Sequence, residues 1–202
     1  MRDGFVKVAA VTPDIRVADV AYNTQNICKM IDETVAKGAK VIVFPELCVT
    51  GYTCSDLFTQ DILLKESKEA LFKIAEYTKE KDAIIFIGVP LAIDGELYNV
   101  AAALNHGEIL GLTTKTFLPN YGEFYEMRQF RPGPDKARWI TLDGKQIPFG
   151  PQLLLVADQM EELVISAEIC EDVWSPVPPS TLAAREGATV IVNCSASDET
   201  IG

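Results

Sequence analysis

The sequence holds 202 residues, 48% of them hydrophobic and 23% charged, with 29 acidic against 18 basic side chains and a formal net charge of −11. That composition supports one soluble globular domain with a real core, and the acidic balance argues against a phosphate-backbone partner, so nucleic-acid binding is set aside. No apolar run approaches the roughly 20 residues that span a bilayer, the amino terminus reads as a strand and not as a signal peptide, and five cysteines without a CxxC pair fit reduced thiols in a cytoplasmic protein better than a disulfide or zinc framework.

Residues 5–11 alternate and are β-branched, which predicts a strand ending before Pro13. Asp19 is placed to cap a helix running to about residue 39, where Ile27, Ile31 and Val35 form one apolar stripe and Gly38 closes the element. KVIVF (40–44) is a continuous apolar run, as expected of a strand covered on both faces, and it ends in Pro45-Glu46-Leu47. Residues 48–58 read as a loop turning at Gly51. A long helix is predicted over about 59–79, with Leu63, Leu64, Ala70, Leu71, Ile74 and Ala75 on its buried face. Strands are predicted at 83–89, 97–104 and 109–114, with a turn at Asp94-Gly95 and a hairpin turn over 105–108. The last of these strands runs straight into Lys115.

Residues 117–138 have no period and are rich in Pro, Gly, aromatics and charge. A loop of this length is either disordered or functional, and Phe117, Tyr121, Phe124, Tyr125 and Phe130 argue that it packs. Gly150-Pro151 leads to strands near 153–156 and at 163–167, and the chain then turns at Cys170. Pro178-Pro179-Ser180 starts a short helix (181–186) ended by Gly187, followed by a strand at 188–193 and the turn-like CSASD (194–198). The alternation predicts a mixed α/β layered domain. No helix follows to cover the last strand before Gly202, so the expectation is a domain truncated at its carboxy terminus.

Candidate chemistry sits in LVISAEICEDVW (163–174), where a buried-strand run breaks into a turn carrying Cys170 between Glu168, Glu171 and Asp172. A free Cys there is either a small buried hydrophobe or a nucleophile, because strand ends in α/β sheets open into crevices. A nucleophilic thiol needs a base. The sole histidine, His106, lies in a polar hairpin turn and reads as solvent-facing, so a carboxylate is the expected base. Glu46 and Lys115 share the context of Cys170: a buried strand, then a reactive residue. Each alone is an ordinary rim charge. Should the strand ends converge, the set is chemically complete. Glu46 can take the thiol proton and return it to a leaving amine, and Lys115 and the Glu171 N–H can stabilise an oxyanion. Trp174 reads as a packing residue, Asp172 as a cap or turn residue and Cys28 as core; Cys48, Cys54 and Cys194 are given no chemistry.

VIVFPELCVTGY (41–52), TKTFLPNYGEFYEMRQFRPG (114–133) and LVISAEICEDVWSP (163–176) resemble the Glu, Lys and Cys blocks of the nitrilase, or carbon–nitrogen hydrolase, superfamily, in order and separation. The likeness covers essentially the whole chain. LPNYGEFYE, ICEDVW and NCSAS (193–197) are similar to a narrower group, the amino-terminal glutaminase domains of glutamine-dependent NAD synthetases. The resemblance implies an α/β fold of the α-β-β-α layered sandwich type, with residues 1–202 forming an incomplete nitrilase-like glutamine amidase domain in a homo-oligomer. It implies that Cys170 attacks the glutamine side-chain amide, that Glu46 is base and acid, that Lys115 stabilises the oxyanion, and that water resolves a thioester to glutamate. Glu126 matches the second glutamate, which supports the lysine and substrate, with Glu123 as its rival. Tyr121, Glu171 and Ser197 would contact glutamine, and Tyr52 and Phe124 would wall the pocket. No cofactor or metal is implied for this step. ATP and magnesium would belong to a synthetase domain beyond residue 202 of the same chain, which would amidate nicotinate adenine dinucleotide; its SGGxDS-type loop does not occur here, nor does the basic residue expected just past Gly202. The alternatives are a free-standing amidase, nitrilase or carbamoylase of the same superfamily, or a non-catalytic domain of that fold. A Rossmann module would need a GxGxxG after a strand.

Overall fold

Ten strands and four α-helices form among residues 4–198, the part of the chain that the computed structural model describes. Strands β1 (Val8–Ala10), β2 (Val41–Val43), β3 (Ile84–Ile93), β4 (Glu96–Asn105), β5 (Glu108–Thr114), β6 (Arg138–Leu142) and β7 (Lys145–Gly150) make one sheet in the order β1-β2-β3-β4-β5-β7-β6. Strands β8 (Leu155–Ala157), β9 (Met160–Ile169) and β10 (Val190–Cys194) make a second, ordered β10-β9-β8. β2 lies parallel to both β1 and β3, while β3, β4 and β5 form an antiparallel meander. β2 and β5 therefore run in the same direction.

Side chains alternate across each strand, so the large sheet has two apolar faces to cover. On one face, α1 (Val20–Ala36) and α2 (Asp61–Tyr77) bring Ile27, Ile31, Leu71 and Ile74 against Ile42, Ile85, Ile87 and Val89. On the other, Val41, Phe86, Ala101 and Ala103 meet Leu163, Ile165, Ala167, Ile169 and Val192 of the small sheet. The outer face of the small sheet carries α4 (Pro179–Arg185), whose Ser180 N–H is accepted by Glu168 Oε2 at 3.1 Å. The layers thus stack helix, sheet, sheet, helix, as the resemblance implies. No helix of the described residues is long and apolar enough to cross a membrane.

Asp19 caps α1 as expected, accepting the Tyr22 N–H at 3.0 Å, but the helix ends at Ala36, and Gly38 follows with φ +84°. β1 is shorter than the 5–11 run because pairing with β2 begins at Val8↔Val41. β3 continues through Pro90 to Ile93. The Phe86 and Gly88 carbonyls accept N–H groups of Phe44 and Val49 on the β2 side, so Pro90, two residues on, turns its missing donor to that side, where β2 has already ended. The segment read as a loop before α2 contains 3₁₀ turns over Tyr52–Thr59. A hairpin, β6–β7, was not foreseen; its signal is Asp143-Gly144, both at positive φ, between two apolar runs. The aromatic segment holds one short helix, α3 (Glu126–Gln129), and it packs as expected: Phe124 meets Tyr52 and Tyr121 edge-on, and Phe130 meets Phe58.

Candidate active site

Glu46 leaves β2 through Phe44-Pro45, Lys115 directly follows β5, and Cys170 directly follows β9. Glu46 and Lys115 are each 1% exposed, and their ion pair is closed at 2.7 Å between Oε1 and Nζ. Glu126, the first residue of α3 and 4% exposed, offers its own Oε1 to the same Nζ at 2.5 Å. A single buried ammonium thus holds two carboxylates. Tyr52 donates its hydroxyl to Glu126 Oε1 at 2.7 Å, and Asn99 of β4 donates its side-chain amide to Glu46 Oε1 at 2.7 Å. Glu123, the rival of Glu126, is exposed on the loop.

The sulfur is joined to this cluster through one residue, Ala196. Ala196 donates its N–H to Glu46 Oε2 at 3.3 Å, and its carbonyl lies 3.9 Å from Cys170 Sγ. Ser195 donates its hydroxyl to the sulfur at 3.3 Å, and Ser197 Oγ lies 3.9 Å away. Cys170 adopts φ +45°, a left-handed conformation that a side chain rarely takes, and its N–H is held by Asn193 Oδ1 at 3.1 Å. The turn is tied across the two sheets by Asp172. Its Oδ1 accepts the Thr116 and Phe117 N–H groups at 3.0 and 2.8 Å, just past Lys115, and its Oδ2 accepts Ile169 N–H at 3.0 Å, just before Cys170. Asp172 is therefore the expected cap of its own turn and also a clamp on the lysine strand, a role the sequence did not reveal.

A cleft of about 300 Å³ opens over Cys170, lined by Tyr52, Pro119, Tyr121, Phe124, Glu171, Trp174, Ser197 and Asp198. All five side chains expected to surround a substrate, Tyr52, Tyr121, Phe124, Glu171 and Ser197, line it. Tyr121 donates its hydroxyl to both carboxylate oxygens of Glu171, at 3.0 and 2.9 Å, across the mouth. Trp174 does not pack as expected; it is 78% exposed at the rim, because the 3₁₀ turn Cys170–Trp174 ends on the surface. His106 faces solvent near Lys79, consistent with its reading as a turn residue.

Burial pushes the Glu46 carboxyl up, with Lys115 pulling against it and Glu126 adding to the rise. Burial alone would pull the Lys115 ammonium down, but Glu46 and Glu126 outweigh it and hold the charge on. Burial, and then Glu46, push the Cys170 thiol up. Burial pushes Asp172 up to about 6 against the pull of its three backbone donors. The arrangement is thus a thiol and a neighbouring carboxyl whose protonated forms are favoured by burial, beside an ammonium whose charge is favoured by two carboxylates. An ammonium has three N–H donors and two are taken by carboxylates, which leaves one for a substrate oxygen. Among the described residues no group of three or more His, Cys, Asp or Glu is placed to hold a metal ion.

The backbone under Glu46 depends on Gly88. A Cβ there would stand 2.2 Å from Leu47 N and 2.5 Å from Pro45 O. Gly88→Ala is therefore expected to displace the Glu46 turn and lower stability by about 1–3 kcal/mol, measurable by denaturant unfolding.

The carbon–nitrogen hydrolase family matches residues 7–201 of this chain. The glutamine-dependent NAD(+) synthetase of Mycobacterium leprae is 40% identical over 199 residues, which is 98% of this chain and 29% of that protein. The crystal structure of a glutamine-dependent NAD(+) synthetase from Cytophaga hutchinsonii superposes with a TM-score of 0.83 at 30% identity, over 95% of this chain and 30% of that one. An amidase from Nesterenkonia sp. shares the fold, with a TM-score of 0.73 at 22% identity over 98% of this chain and 68% of that one. The chain spans less than a third of the length of the synthetases it matches. With the family match running nearly end to end and the layered fold in agreement, the chain belongs to the carbon–nitrogen hydrolase family.

Proposed function

We propose that this chain is the glutamine amidase part of a glutamine-dependent NAD synthetase, and that Glu46, Lys115 and Cys170 are its catalytic triad. The observation that carries the reading is the pairing of a buried carboxylate–ammonium–carboxylate cluster with a thiol at the floor of an open cleft. As Cys170 Sγ attacks the carboxamide carbon, its proton passes to Glu46. The carbonyl oxygen takes up the negative charge and is met by the remaining Lys115 N–H and the Glu171 backbone N–H. Glu46 returns the proton to the departing nitrogen, the C–N bond breaks, and ammonia leaves a glutamyl thioester on Cys170. Glu46 then takes a proton from water as the water oxygen attacks the thioester. The C–S bond breaks, the proton returns to sulfur, and glutamate departs.

Glu126 supports this cycle by giving the Lys115 ammonium a second carboxylate partner, and Tyr52 fixes Glu126. Tyr121, Glu171 and Ser197 bind glutamine, with Tyr52 and Phe124 as walls. The ammonia would be consumed by an ATP-dependent synthetase domain acting on nicotinate adenine dinucleotide. A substrate panel tests the reading. Glutamate release from glutamine should exceed the hydrolysis of short aliphatic amides, nitriles and N-carbamoyl amino acids, and in the full-length protein it should be coupled to nicotinate adenine dinucleotide and ATP. Preference for any of the other substrates would point instead to a free-standing amidase, nitrilase or carbamoylase.

A further inference from the structure

Asn99 is 1% exposed within β4 and does not line the cleft over Cys170. Its main chain and side chain hold two different members of the cluster. The Asn99 carbonyl accepts the Lys115 N–H at 2.9 Å, one rung beyond the Val100↔Thr114 pair. Any residue could supply that bond. The side-chain amide donates to Glu46 Oε1 at 2.7 Å, which few residues at this point of a strand could do.

The two oxygens of Glu46 are consequently unequal. Oε1 carries both Lys115 Nζ and Asn99 Nδ2 at 2.7 Å, whereas Oε2 carries the Ala196 N–H at 3.3 Å. Ala196 is also the residue whose carbonyl faces the Cys170 sulfur. Two strong donors on Oε1 lower the proton affinity of that oxygen, and the oxygen left for proton exchange is the one on the thiol side. The other end of the asparagine supports the assignment. Asn99 Oδ1 is buried and has no hydrogen-bond partner among the described residues. An unpaired buried acceptor costs free energy. A flipped amide would set oxygen against the Glu46 carboxylate, so the charge on Glu46 holds the amide in this orientation.

We propose that Asn99 is a positioning residue for the general base: its amide saturates Oε1, confines proton exchange to Oε2, and stabilises the ionised form of Glu46 within a buried site. The inference rests on the reading of Glu46 as the base. The titratable groups that face Glu46 are Lys115 after β5, Glu126 of α3, Cys170 after β9, Tyr52 and Cys194 of β10. Lys115 favours its charge and Glu126 opposes it. Asn99 is a neutral donor, so removing it changes the hydrogen bonding of Glu46 without adding or removing a charge.

The test uses Asn99→Leu in the full-length protein, with glutamine hydrolysis followed across pH. The turnover number should fall about 10- to 100-fold while KM stays within about twofold, because a misplaced base slows chemistry and the cleft is untouched. A lost donor to a carboxylate raises its pKa, so the acid limb of the kcat profile should move about one pH unit upward. The titration of Glu46 itself, read by ¹³C-carboxyl NMR and assigned with Glu46→Gln, should move in the same direction. Asn99→Ala serves if the leucine variant does not fold; it also removes the donor without adding a charge, so the Glu46 titration must rise in it as well. A wild type inert towards glutamine would overturn the glutaminase reading, and the NMR titration would still decide the role of Asn99. An unmoved Glu46 titration, or a variant changed only in stability, would overturn the role proposed for Asn99.

Discussion

Cys170→Ala is expected to abolish glutamine hydrolysis, by on the order of 10⁴-fold or more, while free ammonia remains a working nitrogen source for the full-length enzyme. The size of the effect follows from the arrangement. Ala196 N–H, Asn99 and Lys115 all engage Glu46, but none of them can form a bond to the amide carbon. Losing the sulfur removes the covalent route and leaves a basic carboxylate with nothing to activate but water. The substitution leaves the fold intact, because Cys170 is only partly buried and the bonds that shape its turn come from Asn193 and Asp172 to the main chain. Retained glutamine-dependent activity in this variant would remove Cys170 from the mechanism.

Lys115→Met is expected to damage both the fold and the chemistry. Glu46 Oε1 and Glu126 Oε1 both point at the lysine Nζ, so removing the ammonium leaves two carboxylates converging on one buried spot. Breaking a buried pair in this way costs about 3–5 kcal/mol. The pH dependence has a definite sign. In the variant, burial and the Glu126 charge, no longer opposed by Lys115, raise the folded-state Glu46 carboxyl pKa above the unfolded value, so between the two values the folded state binds more protons than the unfolded state. Stability must then fall as pH rises through that window and recover towards acid. Denaturant unfolding at several pH values checks this. A variant that loses activity but unfolds as the wild type at neutral pH would show that the carboxylates do not depend on the lysine.

The residues that meet at the proposed site were more legible in the sequence than the ones that support them. Glu46, Lys115 and Cys170 stand out only as a set, because three buried strands each lead into a residue of complementary chemistry, whereas each alone has an ordinary structural reading. Glu126 and the cleft residues came through likeness of phrase, and burial separates Glu126 from Glu123, which a one-dimensional pattern could not do. Asn99 was illegible: an asparagine inside an apolar strand has no local signature, and its partner Glu46 is distant in the chain. Asp172 was readable as a cap but not as a clamp, because Thr116 and Phe117 lie more than 50 residues earlier in the chain, in the segment that follows β5. Trp174 was misjudged because an indole usually signals a core, whereas here it ends a surface turn. β6 and β7 were missed although Asp143-Gly144 is a strong hairpin signal, and the sequence reading stops β3 before Pro90, whereas the strand continues because the neighbouring strand that would have demanded its N–H ends earlier.

The covalent intermediate is the most direct test of the account. Glutamine turnover by the full-length enzyme should be quenched in acid, digested and analysed by mass spectrometry. The expected result is one glutamyl group on the peptide that carries Cys170, absent from Cys170→Ala. A glutamyl group on Cys48, Cys54 or Cys194, or turnover without any acylated thiol, would contradict it.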